Sequence, residues 1–244
     1  MPLPDPRSPL FLTTRWSMVL KAREDSSKGS MEALEFLCRT YWYPLYLYVR
    51  GVGRSPDDAR DLTQEFFARL LEKNWLEAAS AEKGRFRSFL LVAMKHFMAK
   101  EWRRLSALKR GGPKALLPLD TTDAEKRYAG EPVSSLAPDE IYERRWAMTL
   151  LDQALVRLET EFTAAGKAGE FAVMKHWLGA ERGTIPYHEL SASLGASEGA
   201  VRQSVHRMRK RFRAIFREAV SHTLAEGEDI DEELRHLVAI LSKA

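Results

Sequence analysis

The chain of 244 residues contains a single cysteine, Cys38. That excludes an intramolecular disulfide framework and any cysteine-rich zinc or iron–sulfur site, and it suits a reducing compartment. Long apolar runs are missing as well. No stretch of about 18 uncharged apolar residues occurs, so no spanning helix is expected. The opening MPLPDPRSPLFLTTRW has three prolines in its first six positions and only a very short apolar patch, which is not the layout of a signal peptide. The expectation is a soluble, cytoplasmic protein with no membrane insertion. Charge of one sign is scarce too: 38 Lys and Arg against 34 Asp and Glu leave a net charge of +4. So even a balance says little about partners, and the placement of the charges has to decide.

Catalytic signatures are also missing. His188-Glu189 begins like a zinc-binding HExxH, but the second histidine position holds Ala192. Gly51-x-Gly53 lacks a third glycine and follows no strand, and no Walker loop is present. The six histidines show no metal-ligand spacing. Cys38 sits in an apolar helical series and reads as core, not as a nucleophile. No metal, no cofactor and no enzymatic activity are expected.

What the chain does have is helical periodicity almost throughout, with 45% hydrophobic residues and little strand-like alternation. The fold class predicted is all-α, in two helical domains joined by an acidic linker. The boundaries read as a tail over 1–28, a first domain over 29–110, a linker over 111–138, a second domain over 139–222 and an extension over 223–244. In the first domain the apolar series from Leu34 to Tyr48 is interrupted by Pro44, which predicts a kink or a helix-to-helix step. Ser55-Pro56-Asp57-Asp58 supplies an N-cap, a proline at the first helical position and two acids at the positive helix end. The helix it opens buries Ala59, Leu62, Phe66 and Leu70 and leaves Asp57, Asp58, Asp61 and Glu65, with Gln64, on an open face. Taken alone, that face is an ordinary solvated one. The stretch 85–110 carries Arg85, Arg87, Lys95, Lys100, Arg103, Arg104, Lys109 and Arg110, with Glu101 the lone acid, among Phe86, Phe89, Phe97 and Trp102. Cations with interleaved aromatics suit unstacked nucleic acid, although most of these aromatics also fit a buried stripe.

The sharpest local signal is YHELSASLGASEGAVRQSVHRMRKRF, residues 187–212. It reads as helix, tight turn, helix, with Gly195 in the turn and Ser197 as N-cap of the second helix. Val201, Val205, Met208 and Phe212 step by four, three and four and must face inward. Gly199, Arg202, Gln203, His206, Arg207, Arg209 and Lys210 then face outward. Between 202 and 217 there are seven Arg or Lys and no acid. Arg and Gln early in such a helix can reach base edges, and later cations suit phosphates. Beyond it, six acids in the eight positions 226–233 precede an amphipathic stripe of Ile230, Leu234, Leu237 and Leu241. This extension is expected to pack on the second domain, with its acidic turn near the basic helix at 202–217 as a sharper alternative.

Three segments, DDARDLTQEFFARLLEK (57–73), GRFRSFLLVAMKHFMAKEWRR (84–104) and YHELSASLGASEGAVRQSVHRMRKRFR (187–213), together resemble a bacterial RNA polymerase sigma factor of the compact two-domain type related to the extracytoplasmic-function group. The resemblance implies a partner, core RNA polymerase, docked by Asp58, Asp61, Gln64 and Glu65. It implies promoter DNA as a second partner. Arg85, Arg87, Lys95, His96, Lys100, Trp102, Arg103 and Arg104 would face the −10 element. Ser197, Gly199, Arg202, Gln203, His206, Arg207, Arg209 and Lys210 would face the −35 element. It leaves room for an anti-sigma regulator. The alternative is a stand-alone helix-turn-helix regulator that uses only 187–213; a helical nuclease or metal hydrolase would need carboxylate or histidine clusters that are not found.

Overall fold

The computed structural model describes residues 28–72, 75–79, 84–107, 136–181, 183–224 and 227–243, with Val19 and Ala124 as isolated positions. Among the described residues every regular element is a helix and no strand occurs. The fold is all-α. The α-helices are α1 (Lys28–Gly51), α2 (Pro56–Glu72), α3 (Phe86–Ala107), α4 (Pro138–Ala164), α5 (Ala168–Met174), α6 (Tyr187–Leu194), α7 (Glu198–Ser221) and α8 (Ile230–Leu241), with 3-10 turns at Trp75–Ala78 and Lys175–Trp177. No helix among them is long and apolar enough to cross a membrane. The expected tail over 1–28 and linker over 111–138 fall almost wholly outside the described residues.

The helix starts follow local chemistry. At α2 the Ser55 hydroxyl accepts from the Asp58 amide at 3.2 Å and donates to the Asp58 carboxylate at 2.8 Å, so one side chain closes the first turn. At α4, Pro138 takes the first helical position and Glu140 accepts from the Ala137 amide at 3.0 Å. At α8, Asp229 accepts from the Asp231 amide at 2.8 Å.

The chain divides into two compact units. One holds Leu150–Ala219: the later part of α4, then α5, α6 and most of α7. Its core is Leu158, Phe171, Met174, Leu190, Val201, Val205, Met208 and Ile215. The other unit holds α1 to α3, the start of α4 up to Thr149 and, from Val220 on, α8. This division differs from the expected boundaries in two places. The start of α4 belongs with the first helical block, since Tyr142 and Trp146 are fully buried there and the Tyr142 hydroxyl donates to the Arg87 carbonyl at 3.0 Å. The extension belongs there too, and not with the second domain as expected.

In α1, Pro44 is enclosed in one helix, not placed at a step between two. Every residue from Thr40 to Val49 is buried, so packing outweighs the hydrogen bond that proline cannot donate. This segment supplies Tyr41 edge-on to Phe86 at 5.4 Å and Trp42 stacked on Tyr46 at 5.2 Å. At its end, a side chain at Gly51 would meet Ile141 of α4 at 3.2 Å, so glycine lets the two backbones approach. Burial pushes the Cys38 thiol up to about 12, which fits a core residue and not a reactive one.

Candidate nucleic-acid interface

Helix α7 follows α6 through a turn that only a residue tolerant of positive φ makes cheaply. Gly195 stands there at φ 60°, ψ 30°, and the Ala196 amide returns to the Ser191 carbonyl at 3.1 Å. Ser197 then caps α7 by accepting from the Ala200 amide at 3.3 Å. With Val201, Val205 and Met208 buried, Gly199, Arg202, Gln203, His206, Arg207 and Lys210 stand exposed along one side. The Arg202 guanidinium lies 4.8 Å from the centre of the Tyr187 ring, which pre-orients it without removing it from solvent. The sequence alone had not singled out Tyr187 for this. A side chain at Gly199 would meet nothing within 4 Å, so the helix start is open.

Arg209 behaves differently from its neighbours. Its Nε donates to the Trp177 carbonyl at 3.0 Å and its Nη2 to the Ala180 carbonyl at 2.6 Å. It closes the end of the 3-10 turn, so its guanidinium is already engaged where those of its neighbours on the outward row are open. The physical reason is reach: a half-buried guanidinium beside the carbonyls at the end of the 3-10 turn finds partners within its own unit.

On α3 the cations are more enclosed. Arg87 is 2% exposed and Glu233 of α8 is 0% exposed. Their charged atoms lie 2.6 Å apart, and Arg85 reaches the other Glu233 oxygen at 2.7 Å. Neither Glu233 oxygen makes a well-angled hydrogen bond, so the contact is chiefly Coulombic. The Arg87 guanidinium also lies over the Trp146 ring at 4.3 Å. Arg85 is further paired with Glu228 at 3.5 Å. Lys95 donates to Asp139 of α4 at 2.6 Å, a bond that raises its pKa above the ordinary lysine value. Lys100 and His96 are exposed. Of the aromatics, Phe86 and Phe97 are buried and Phe89 is half-buried. Trp102, Arg103 and Arg104 lie within α3, but their side chains fall outside what is described.

The expected docking face on α2 is narrower than its helical wheel suggests. Asp58 is exposed and Asp61 half-buried. Gln64 is buried and Glu65 is held by Arg69 at 2.8 Å. Arg69 also pairs with Glu101 of α3 at 2.8 Å and covers Phe97. Helix α2 packs against both α1 and α3, so its buried arc is wider than one apolar stripe and takes in Gln64.

No group of three His, Cys, Asp or Glu side chains that could hold a metal occurs among the described residues. In comparison with known proteins, no family model, no curated protein and no solved structure matches the chain.

Proposed function

We propose that this chain is a promoter-specificity subunit of bacterial RNA polymerase, of the compact sigma type, with no catalysis of its own. The observation that carries the reading is the exposed row Arg202, Gln203, His206, Arg207 and Lys210 on a capped helix whose opposite side is core. Side chains that can form bidentate bonds to bases come first, and cations suited to phosphates follow. In this reading the two helices and the Gly195 turn are a helix-turn-helix that lies on the −35 element. The unit of α1 to α3 serves polymerase docking and the −10 element, and the acidic segment over 111–138 is the linker. The cytoplasm is the site of action.

Asp58 and Asp61 support polymerase docking; the enclosure of Gln64 and the Arg69 clasp on Glu65 weaken it. That specific deficit favours, as second reading, a stand-alone DNA-binding regulator. Pull-down with core polymerase separates the two. Stable co-elution, lost in the folded Asp58→Lys, Asp61→Lys double variant, is the result expected of a sigma subunit. DNA binding without any capture of polymerase would favour the regulator.

A further inference from the structure

We propose that α8 is an autoinhibitory strap: its Glu233 carboxylate occupies, on Arg85 and Arg87, the place of a phosphodiester of single-stranded DNA. The proposal rests on the reading of α3 as a nucleic-acid-facing helix.

Three observations carry it. First, one carboxylate bridges two guanidinium groups, at 2.7 Å and 2.6 Å. A phosphodiester carries the same single negative charge and also has two oxygens to offer, and paired arginines are its usual receptor. Secondly, Arg87 has contacts other than those with α8. Arg87 rests on Trp146 at 4.3 Å, and its backbone carbonyl is held by the Tyr142 hydroxyl. A guanidinium held in this way keeps its place when the anion departs. Thirdly, the rim of α8 is fastened by pairs that water and salt reach. His236 meets Glu143 at 2.8 Å, and Lys243 meets Glu140, with all four side chains at least a quarter exposed. Exposed pairs of this kind hold weakly and are screened by salt.

A buried ion pair is a poor device for stability, since apolar residues of similar volume often do as well or better. It is a good device for holding a helix in a place from which a competing anion can displace it. Glu228, whose oxygen lies 3.5 Å from Arg85, adds to the same neutralisation. As folded, the start of α3 thus presents a covered and neutralised surface. Displacement of α8 uncovers two aligned arginines.

The test uses the full-length chain and a short labelled single-stranded oligodeoxynucleotide, titrated across a range of salt. Glu233→Gln removes the anion with little change of shape. Lys243→Glu loosens the rim and leaves Arg85, Arg87 and Glu233 intact, so it serves if the first variant folds poorly. Both should bind the oligonucleotide more tightly, by roughly fivefold at low salt for one regained phosphate contact. The slope of log affinity against log salt should steepen by about 0.7 for each contact. Adding Arg85→Gln to either variant should cancel most of the gain. Folded variants that bind no better than the parent chain would overturn the proposal. So would a gain that survives Arg85→Gln, because the ligand would then sit on other cations. Capture of core polymerase is scored separately, so failure of the strap and failure of the sigma reading give different patterns.

Discussion

Helices α3 and α7 are both rich in cations, yet they use them in opposite ways. On α7, Arg202, Arg207 and Lys210 remain exposed. On α3, Arg85 and Arg87 turn to Glu233, and Lys95 turns to Asp139. The difference lies in what packs alongside. The outward row of α7 keeps its cations in solvent, with only the Tyr187 ring of α6 beside Arg202 among the described contacts, whereas the start of α3 lies under α8 and beside the start of α4. A basic cluster in sequence is therefore only a candidate surface. It becomes an interface when no carboxylate from a distant segment reaches it first.

The sharpest way to break that comparison is to truncate one arginine from each helix. Arg87→Ala leaves Glu233 buried without its main counter-charge and uncovers the Trp146 ring. It should cost about 3–5 kcal/mol of stability. Arg202→Ala loses an exposed ring contact and should cost less than about 1 kcal/mol. Urea unfolding monitored by circular dichroism reads both. Equal small losses would show that Arg87 is as dispensable as a surface residue.

A comparison within α7 is finer. Arg209→Ala removes the guanidinium donors from the Trp177 and Ala180 carbonyls and should destabilise its unit by about 1–3 kcal/mol. Its effect on the salt dependence of duplex binding should be small. Lys210→Ala should leave stability unchanged and reduce the salt slope by about 1. If Arg209→Ala reduced the slope while stability held, the carbonyl contacts would be incidental and the residue would be a phosphate ligand after all.

Local features were legible from sequence because local chemistry makes them. The Ser55 and Ser197 caps, the Gly195 turn and the Val201, Val205, Met208 stripe each depend on residues within a few positions. Arg87 is instructive in the other direction. It falls in register with Leu90, Met94, Phe97 and Glu101, stepping by three, four, three and four, so its helix had marked it as inward. Glu233 likewise steps by four and three to Leu237 and Ile240, which are buried with it. A stripe drawn only through apolar residues, Ile230, Leu234, Leu237 and Leu241, misses that register by a fraction of a turn. Two charged residues at core positions of separate helices are each anomalous alone and explain one another when paired. No local pattern says which pairs with which across an interval of more than 140 residues. Gln64 was missed for a related reason, since a helix with two neighbours buries a wider arc than a helix with one.

The smallest expected effect lies on Arg211, the immediate neighbour of Lys210. Its Nε and Nη2 donate to the two oxygens of Glu161 at 2.7 Å and 2.6 Å, which ties α7 to α4 within the same unit. These bonds hold the Glu161 carboxyl below its ordinary value, against the opposing influence of partial burial. Because the folded value is the lower one, the pair contributes above the unfolded carboxylate pKa of about 4.3 and loses its contribution as pH falls through the folded value. Glu161 is about a third exposed, so screening leaves less than about 1 kcal/mol. Arg211→Gln should therefore lower stability slightly at neutral pH, and the difference from the parent chain should fade once the medium is acidic enough to protonate Glu161. Added salt should shrink it as well. A loss that persisted unchanged in acid would assign the role to packing of the arginine stem along α7, and the cations of this helix would then divide into reading and packing residues with no electrostatic tie between α7 and α4.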